Sequence, residues 1–172
     1  MKRNQTIQSY LLATPAGQVR VELSPKGLCA LRLPRDRSRR RRSSSAGLDA
    51  MLRRLSRDLR DYFDGKQVKF SYPMDLSGAT NFQRAVWRAL RRIPHGQTRT
   101  YAEVARGVGR PKACRAVGAA CGQNPLPLLI PCHRVVASNG KRGGFSGGRG
   151  WKKFLLDLEG VGADEGPNFQ PE

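Results

Sequence analysis

Proline and glycine recur at intervals that leave room only for short elements, and this spacing constrains the fold more than any other feature of the chain. Pro15-Ala16-Gly17 and Ser24-Pro25-Lys26-Gly27 cut the first third into three segments, Ile7–Thr14, Gln18–Leu23 and Leu28–Leu33. Short segments joined by such turns predict an antiparallel meander, whose apolar faces need a helix or another sheet to cover them. The period then changes. Leu48, Met51, Leu52, Leu55, Leu59, Tyr62 and Phe63 recur at helical spacing ahead of Gly65, which predicts an amphipathic helix over about 48–64. Tyr72 through Gly78 reads as a linker to a second unit.

That second unit is mostly helical. Phe82, Val86, Trp87 and Leu90 form one apolar face, ended by Pro94 and Gly96. Thr100-Tyr101-Ala102-Glu103 has the form of a capping box, in which two side chains satisfy amide donors at a helix start. Pro111 suits the first position of a following helix, which runs to about Cys121 before Gln123-Asn124-Pro125 breaks it. Two short helices about a glycine-containing turn fit a helix-turn-helix and equally an ordinary helical hairpin. Leu128-Leu129-Ile130 predicts a buried strand. Trp151, Phe154, Leu155 and Leu158 supply a last helix face, with Glu159 at its end; taken alone, Glu159 is a solvated carboxylate.

Charge narrows the partners. Thirty-two Lys and Arg stand against 13 Asp and Glu, a formal net charge of +19. A polyanion is implied, nucleic acid first and an anionic membrane surface second. No apolar run approaches the roughly 18 residues of a spanning helix, and Met1–Gln8 lacks the apolar core of a signal peptide, so the expectation is a soluble, cytoplasmic protein without a membrane partner. The Arg35–Arg42 run, followed by serines, reads as a solvated loop or as a DNA-gripping arm. Cys29, Cys114, Cys121 and Cys132 lack close pairing, which argues against a disulfide framework; with two histidines in the chain, a zinc site and any metal are not expected.

Two features carry chemistry. Ala116, Gly118, Ala119 and Ala120 make one helix smooth beside Lys112 and Arg115, which fits tight packing or a helix laid against DNA. Cys132 follows a proline at the end of an apolar run. It is a buried inert thiol or a nucleophile, and the second role needs a base or a cation, because a thiol of pKa about 8.5 is mostly protonated at neutral pH. His133 and Arg134 are the candidates. On an extended segment adjacent side chains point apart, which favours a water between His133 and the thiol over direct contact.

Asn124-Pro125 through Ile130-Pro131-Cys132-His133-Arg134-Val135 resembles the active-site signature of the O6-alkylguanine-DNA alkyltransferases. Phe82-Gln83, Val86-Trp87, Ile93-Pro94, Gly96, Thr98, Tyr101, Arg115-Ala116-Val117-Gly118, Gly147-Gly148 and Leu155-Leu156 with Glu159 match the same family in order. The likeness is close from about Leu48 to Gly160 and loose before it. Cys114, where relatives carry a small residue, Phe145, where tyrosine is common, and the arginine run depart from the pattern. The resemblance implies an α+β fold: a small antiparallel-sheet domain over 1–76, then a mainly helical domain with a helix-turn-helix over 77–160, and a flexible tail over 161–172. It implies irreversible, single-turnover transfer of an alkyl group from guanine O6 in duplex DNA to Cys132, by a monomer without cofactor. By the same resemblance His133 and Glu159 relay the thiol proton through water and Asn124 braces the turn. Tyr101 assists the leaving guanine, Ser146 contacts its O6 side, and main-chain groups of Cys132 and Val135 hold the base. Arg115 enters the duplex, with Ala116 and Gly118 on the DNA-binding helix. A non-catalytic lesion binder and a helix-turn-helix regulator are the alternatives; Cys132 argues against the first and Pro131-Cys132-His133-Arg134 against the second.

Overall fold

The computed structural model describes residues 7–34, 49–138, 145, 147–148 and 150–162, and the chain divides into two compact units, Met1–Leu76 and Ser77–Glu172. In the first unit β1 (Gln8–Thr14), β2 (Gly17–Ser24) and β3 (Gly27–Arg32) form an antiparallel sheet in sequence order. Thr14 pairs with Gly17 and Ser24 with Gly27, so the Pro15-Ala16 and Pro25-Lys26 pairs are the hairpin turns. The cover expected for the sheet is α1 (Ala50–Phe63), which packs on β1 and starts where Asp49 accepts from the Leu52 amide. Leu52, Leu55, Leu59 and Tyr62 are buried, as are Leu12, Val19, Val21 and Leu31 of the sheet.

The Tyr72–Gly78 stretch is more than a linker. Leu28 N–H donates to Pro73 O and Asp75 N–H to Leu28 O, so the segment lies along the open edge of β3. A Cβ at Gly27 would come within 2.5 Å of the Pro73 carbonyl oxygen, which restricts that position to glycine. Tyr72 is buried and donates to Asp58 on α1. An edge covered in this way offers no template for another strand.

The second unit contains α2 (Asn81–Leu90), β4 (Arg99–Thr100), α3 (Tyr101–Gly107), α4 (Cys114–Gly122), a 3-10 turn at Cys132–Arg134, β5 (Val135–Val136) and α5 (Trp151–Leu158). Both α2 and α3 start with complete capping boxes, Thr80 with Gln83 and Thr100 with Glu103. Trp87 donates its indole N–H to Ala120 O, fixing α4 against α2. β4 and β5 pair in parallel, Arg99 opposite Val135 and Thr100 opposite Val136, which draws the start of α3 to the segment after Cys132.

Four expectations change. Pro111 sits in a turn, and α4 begins at Cys114 without a side-chain cap. Leu128-Leu129-Ile130 is buried but is no strand: Leu128 takes the left-handed region at φ 76° and the chain turns there. Cys132-His133-Arg134 is a 3-10 turn, so the alternation of an extended segment does not govern their directions. Val161, assigned to the tail, is buried with Val136 and Leu156. The Arg35–Arg42 run and residues 163–172 lie outside the described residues. Among the described residues no helix is long and apolar enough to cross a membrane.

Candidate active site

The loop from Asn124 to Pro131 presents the thiol. The Asn124 side chain accepts from Leu126 N–H at 3.0 Å and donates through Nδ2 to Ile130 O at 2.8 Å. The same Nδ2 lies 3.1 Å from Cys132 Sγ. One amide therefore ties both ends of the turn and touches the sulfur, while Cys132 N–H donates to Ile130 O. The strained Leu128 backbone belongs to this brace. Cys132 is 2% exposed, so only a group inserted into the protein reaches its sulfur.

The two residues after Cys132 enter a buried ionic cluster. The Glu159 carboxylate accepts from His133 Nε2 at 2.8 Å, Arg134 Nε at 2.8 Å, Arg134 Nη2 at 2.9 Å and Gly96 N–H at 3.2 Å. Arg134 also donates through Nη1 to Ile93 O at 2.7 Å. Burial alone would raise the Glu159 pKa, but the hydrogen bonds and charges of His133 and Arg134 outweigh it and hold the carboxyl well below the usual carboxylate range. Burial lowers the His133 pKa, and its bond to Glu159 only partly opposes this. A neutral imidazole facing an ionised carboxylate carries its proton on Nε2, which leaves Nδ1 as the basic nitrogen. Glu159 is thus no solvated helix-end residue.

Two cationic groups and a glycine of the cluster were not singled out as site residues from sequence. Arg134 was only a candidate neighbour of the thiol. Lys152 is buried on α5 and donates through Nζ to Val135 O at 2.5 Å, with Nζ 5.7 Å from the Tyr101 ring centre. Burial brings its pKa down to about 8, against the attraction of the Cys121 and Cys132 sulfurs. Gly96, at φ 75°, brings its amide to Glu159, and a Cβ there would meet Glu159 O at 3.1 Å. The available signal was the 3–4 spacing of Lys152, Leu155, Leu156 and Glu159. That face of α5 is buried, whereas Phe154 and Leu158 are half-buried.

Tyr101, at the first position of α3, has its phenol pushed up to about 12, chiefly by burial and then by the Cys121 and Cys132 sulfurs, so it keeps its proton at neutral pH. Val135 O is taken up by Lys152 and Val135 N–H donates to Cys132 O, so a base held there must use second lone pairs. Phe145 stands edge-on to His133, ring centres 6.4 Å apart. Ser146 lies outside the described residues. Arg115 and Ala116 are exposed on α4 with Ala119, away from the thiol; Gly118 is half-buried and faces Tyr101, 3.8 Å from an ideal Cβ. Among the described residues no three His, Cys, Asp or Glu side chains converge as metal ligands would.

Two measurements test this cluster. Because the Glu159 pKa is lower folded than unfolded, its contribution to stability is complete above the unfolded value of about 4.3 and is lost as pH falls from there toward the folded value. Glu159→Gln leaves the Arg134 charge buried without its partner and should cost about 3–5 kcal/mol in urea denaturation at neutral pH. The variant should also lose stability less steeply below about pH 4 than the natural chain. Lys152→Gln removes the cation that favours the Cys132 thiolate, so the pH profile of Cys132 alkylation by iodoacetamide should move to higher pH; an unmoved profile would remove Lys152 from the thiol's electrostatics.

Comparison with known proteins agrees with this geometry. Residues 81–161 match the family model described as 6-O-methylguanine DNA methyltransferase, DNA binding domain. A methylated-DNA–protein-cysteine methyltransferase of Methanosarcina acetivorans is 47% identical over 112 residues, 65% of this chain and 71% of that protein. The inducible methylated-DNA–protein-cysteine methyltransferase of Bacillus subtilis is 47% identical over 102 residues, 59% of this chain and 56% of its own length. The crystal structure of Mycobacterium tuberculosis OGT in complex with DNA superposes with a TM-score of 0.73 at 36% identity, covering 87% of this chain and 90% of that one. With 71% of the Methanosarcina relative and 90% of the mycobacterial structure aligned, the chain belongs to the methylated-DNA–protein-cysteine methyltransferase family.

Proposed function

We propose that this protein repairs DNA directly by transferring an alkyl group from guanine O6 to Cys132, once per molecule and irreversibly. The observation that supports the assignment is a buried Cys132 sulfur braced by Asn124 at 3.1 Å and followed directly in the chain by His133, which bonds an ionised, fully buried Glu159. His133 takes the thiol proton at Nδ1, directly or through a water, and Glu159 stabilises the imidazolium that results. The thiolate attacks the alkyl carbon, a carbon–sulfur bond forms as the carbon–O6 bond breaks, and the electron pair passes to the guanine. Tyr101, protonated at neutral pH, donates to the leaving base. The product is a thioether, and no group in the cluster reverses it.

Recession of the sulfur requires the lesion base to leave the duplex, because an O6 atom stacked in DNA cannot reach a group so deeply buried. In this reading the exposed Arg115-Ala116-Ala119 stripe of α4 lies in the minor groove and Arg115 fills the vacated position. Gly118 keeps the helix edge low beside Tyr101. Val135 O and Ser146 receive the flipped base, and the protein acts as a monomer on one lesion.

The test is direct. After incubation with duplex DNA containing O6-methylguanine, the Cys132 peptide should gain the mass of one methyl group in place of hydrogen, and the DNA should regain guanine. Cys132→Ala should bind the lesion but leave it methylated. An unmodified Cys132 alongside tight lesion binding would make the protein a lesion binder, and methyl loss by Cys132→Ala would remove the assigned nucleophile.

A further inference from the structure

Most of the positive charge in the second unit lies away from α4. From Asn81 to Gln123 the sequence carries nine Lys or Arg against one acidic residue, Glu103, and only Arg115 belongs to α4 itself. Arg84 and Arg88 on α2 and Arg91-Arg92 just past its end recur at helical spacing, on the side opposite buried Val86 and Leu90. Arg88, Arg91, Arg92 and Arg106 are exposed.

Of these, Arg92 and Arg106 border a cleft of about 460 Å³ where the end of α2 meets α3. Arg92, Arg99 and Arg106 line it with Glu103, and Ala89 and Ile93 form an apolar wall. Glu103 is committed to the α3 cap: its Oε2 accepts from Thr100 N–H at 2.6 Å and from Thr100 Oγ1 at 2.7 Å. The cleft keeps a net positive charge, and of its lining residues only Ile93 touches the transfer site, through the carbonyl that accepts from Arg134. Its position follows from the helix geometry. Tyr101 faces Gly118 of α4, and at about 100° per residue Glu103, Arg106 and Gly107 project from the far side of α3.

We propose that this cleft is a second nucleic-acid site that holds the backbone phosphates of another duplex segment. Guanidinium groups pair with phosphate oxygens through two parallel hydrogen bonds, and the apolar wall suits a deoxyribose face. The chain would then hold one duplex on α4 while engaging a second through Arg92 and Arg106. The inference rests on the reading of α4 as the lesion-binding helix, and its test separates the two.

Two short unmodified duplexes, one carrying a donor dye and the other an acceptor, are mixed with the full chain and energy transfer between them is followed. The natural chain should bring them together. Arg92→Glu/Arg106→Glu should raise the protein concentration needed by about tenfold or more and reduce the salt slope of that second binding event by about two. Arg92→Lys/Arg106→Lys should recover most of the effect. Methyl transfer on a short duplex containing O6-methylguanine should stay within about twofold of the natural rate in the Glu variant, because both arginines lie off α4. Unchanged energy transfer in the Glu variant would overturn the proposal, as would tight retention of inorganic phosphate by a chain that never joins two duplexes. Loss of methyl transfer together with energy transfer would also overturn it, by making the cleft part of the repair footprint. Arg92- and Arg106-dependent joining by a chain that transfers no methyl group would support the cleft and defeat the repair reading alone.

Discussion

Burying the Glu159 carboxylate is tolerable only because four donors converge on it, one from His133, two from Arg134 and one from the Gly96 amide. An uncompensated buried charge would cost several kcal/mol, so the folded state has to assemble all three partners together. The carboxylate and its partners come from three separate parts of the second unit: Gly96 from the turn after α2, His133 and Arg134 from the 3-10 turn, and Glu159 from the end of α5. Placing Glu159 therefore fixes the imidazole and which of its nitrogens is left basic. Arg134 adds rigidity by holding Ile93 O at the same time. The proposed proton relay and the packing of this unit thus rest on the same interaction.

The two buried thiols show how environment separates chemistry from inertness. Cys121 is pushed up to about 12, chiefly by burial, with the Cys132 sulfur adding to the effect and Lys152 opposing it, and it stays a thiol at neutral pH. Cys132, on a turn braced by Asn124, has a basic imbalance built around it: a neutral imidazole on a carboxylate and an ammonium on Val135 O. Tyr101 remains a proton donor in the same surroundings. In the proposed reaction, burial and neighbours thus keep the base neutral and the acid protonated at neutral pH.

What the residue pattern revealed was mostly local. The three strands, α1 and the Thr100 capping box depend on neighbours within a few positions, and their boundaries fell within two or three residues of the structure. Leu128–Ile130 misled because an apolar run marks burial without specifying backbone geometry, and Leu128 is held in the left-handed region by its surroundings. Pro111 misled because its preference for a helix start was met by a turn instead. Lys152 was hidden because a lysine on a helix is usually solvated; only the tertiary fold turns it inward with Glu159. The resemblance pointed to Cys132, His133, Asn124, Tyr101 and Glu159, and the structure brings all five into one region, whereas Arg115 and Ala116 lie apart on the exposed face of α4. Ser146 and the arginine run fall outside the described residues.

A protein whose acceptor is its own thiol has no means of resetting, and this distinguishes the account from turnover by an ordinary enzyme. The most direct measurement is a stoichiometric titration: a fixed amount of the chain is given increasing excess of duplex DNA containing O6-methylguanine, and restored guanine is counted at completion. The account predicts a plateau at one guanine per chain, reached as the last Cys132 is consumed. Guanine that keeps accumulating past that equivalence would contradict it.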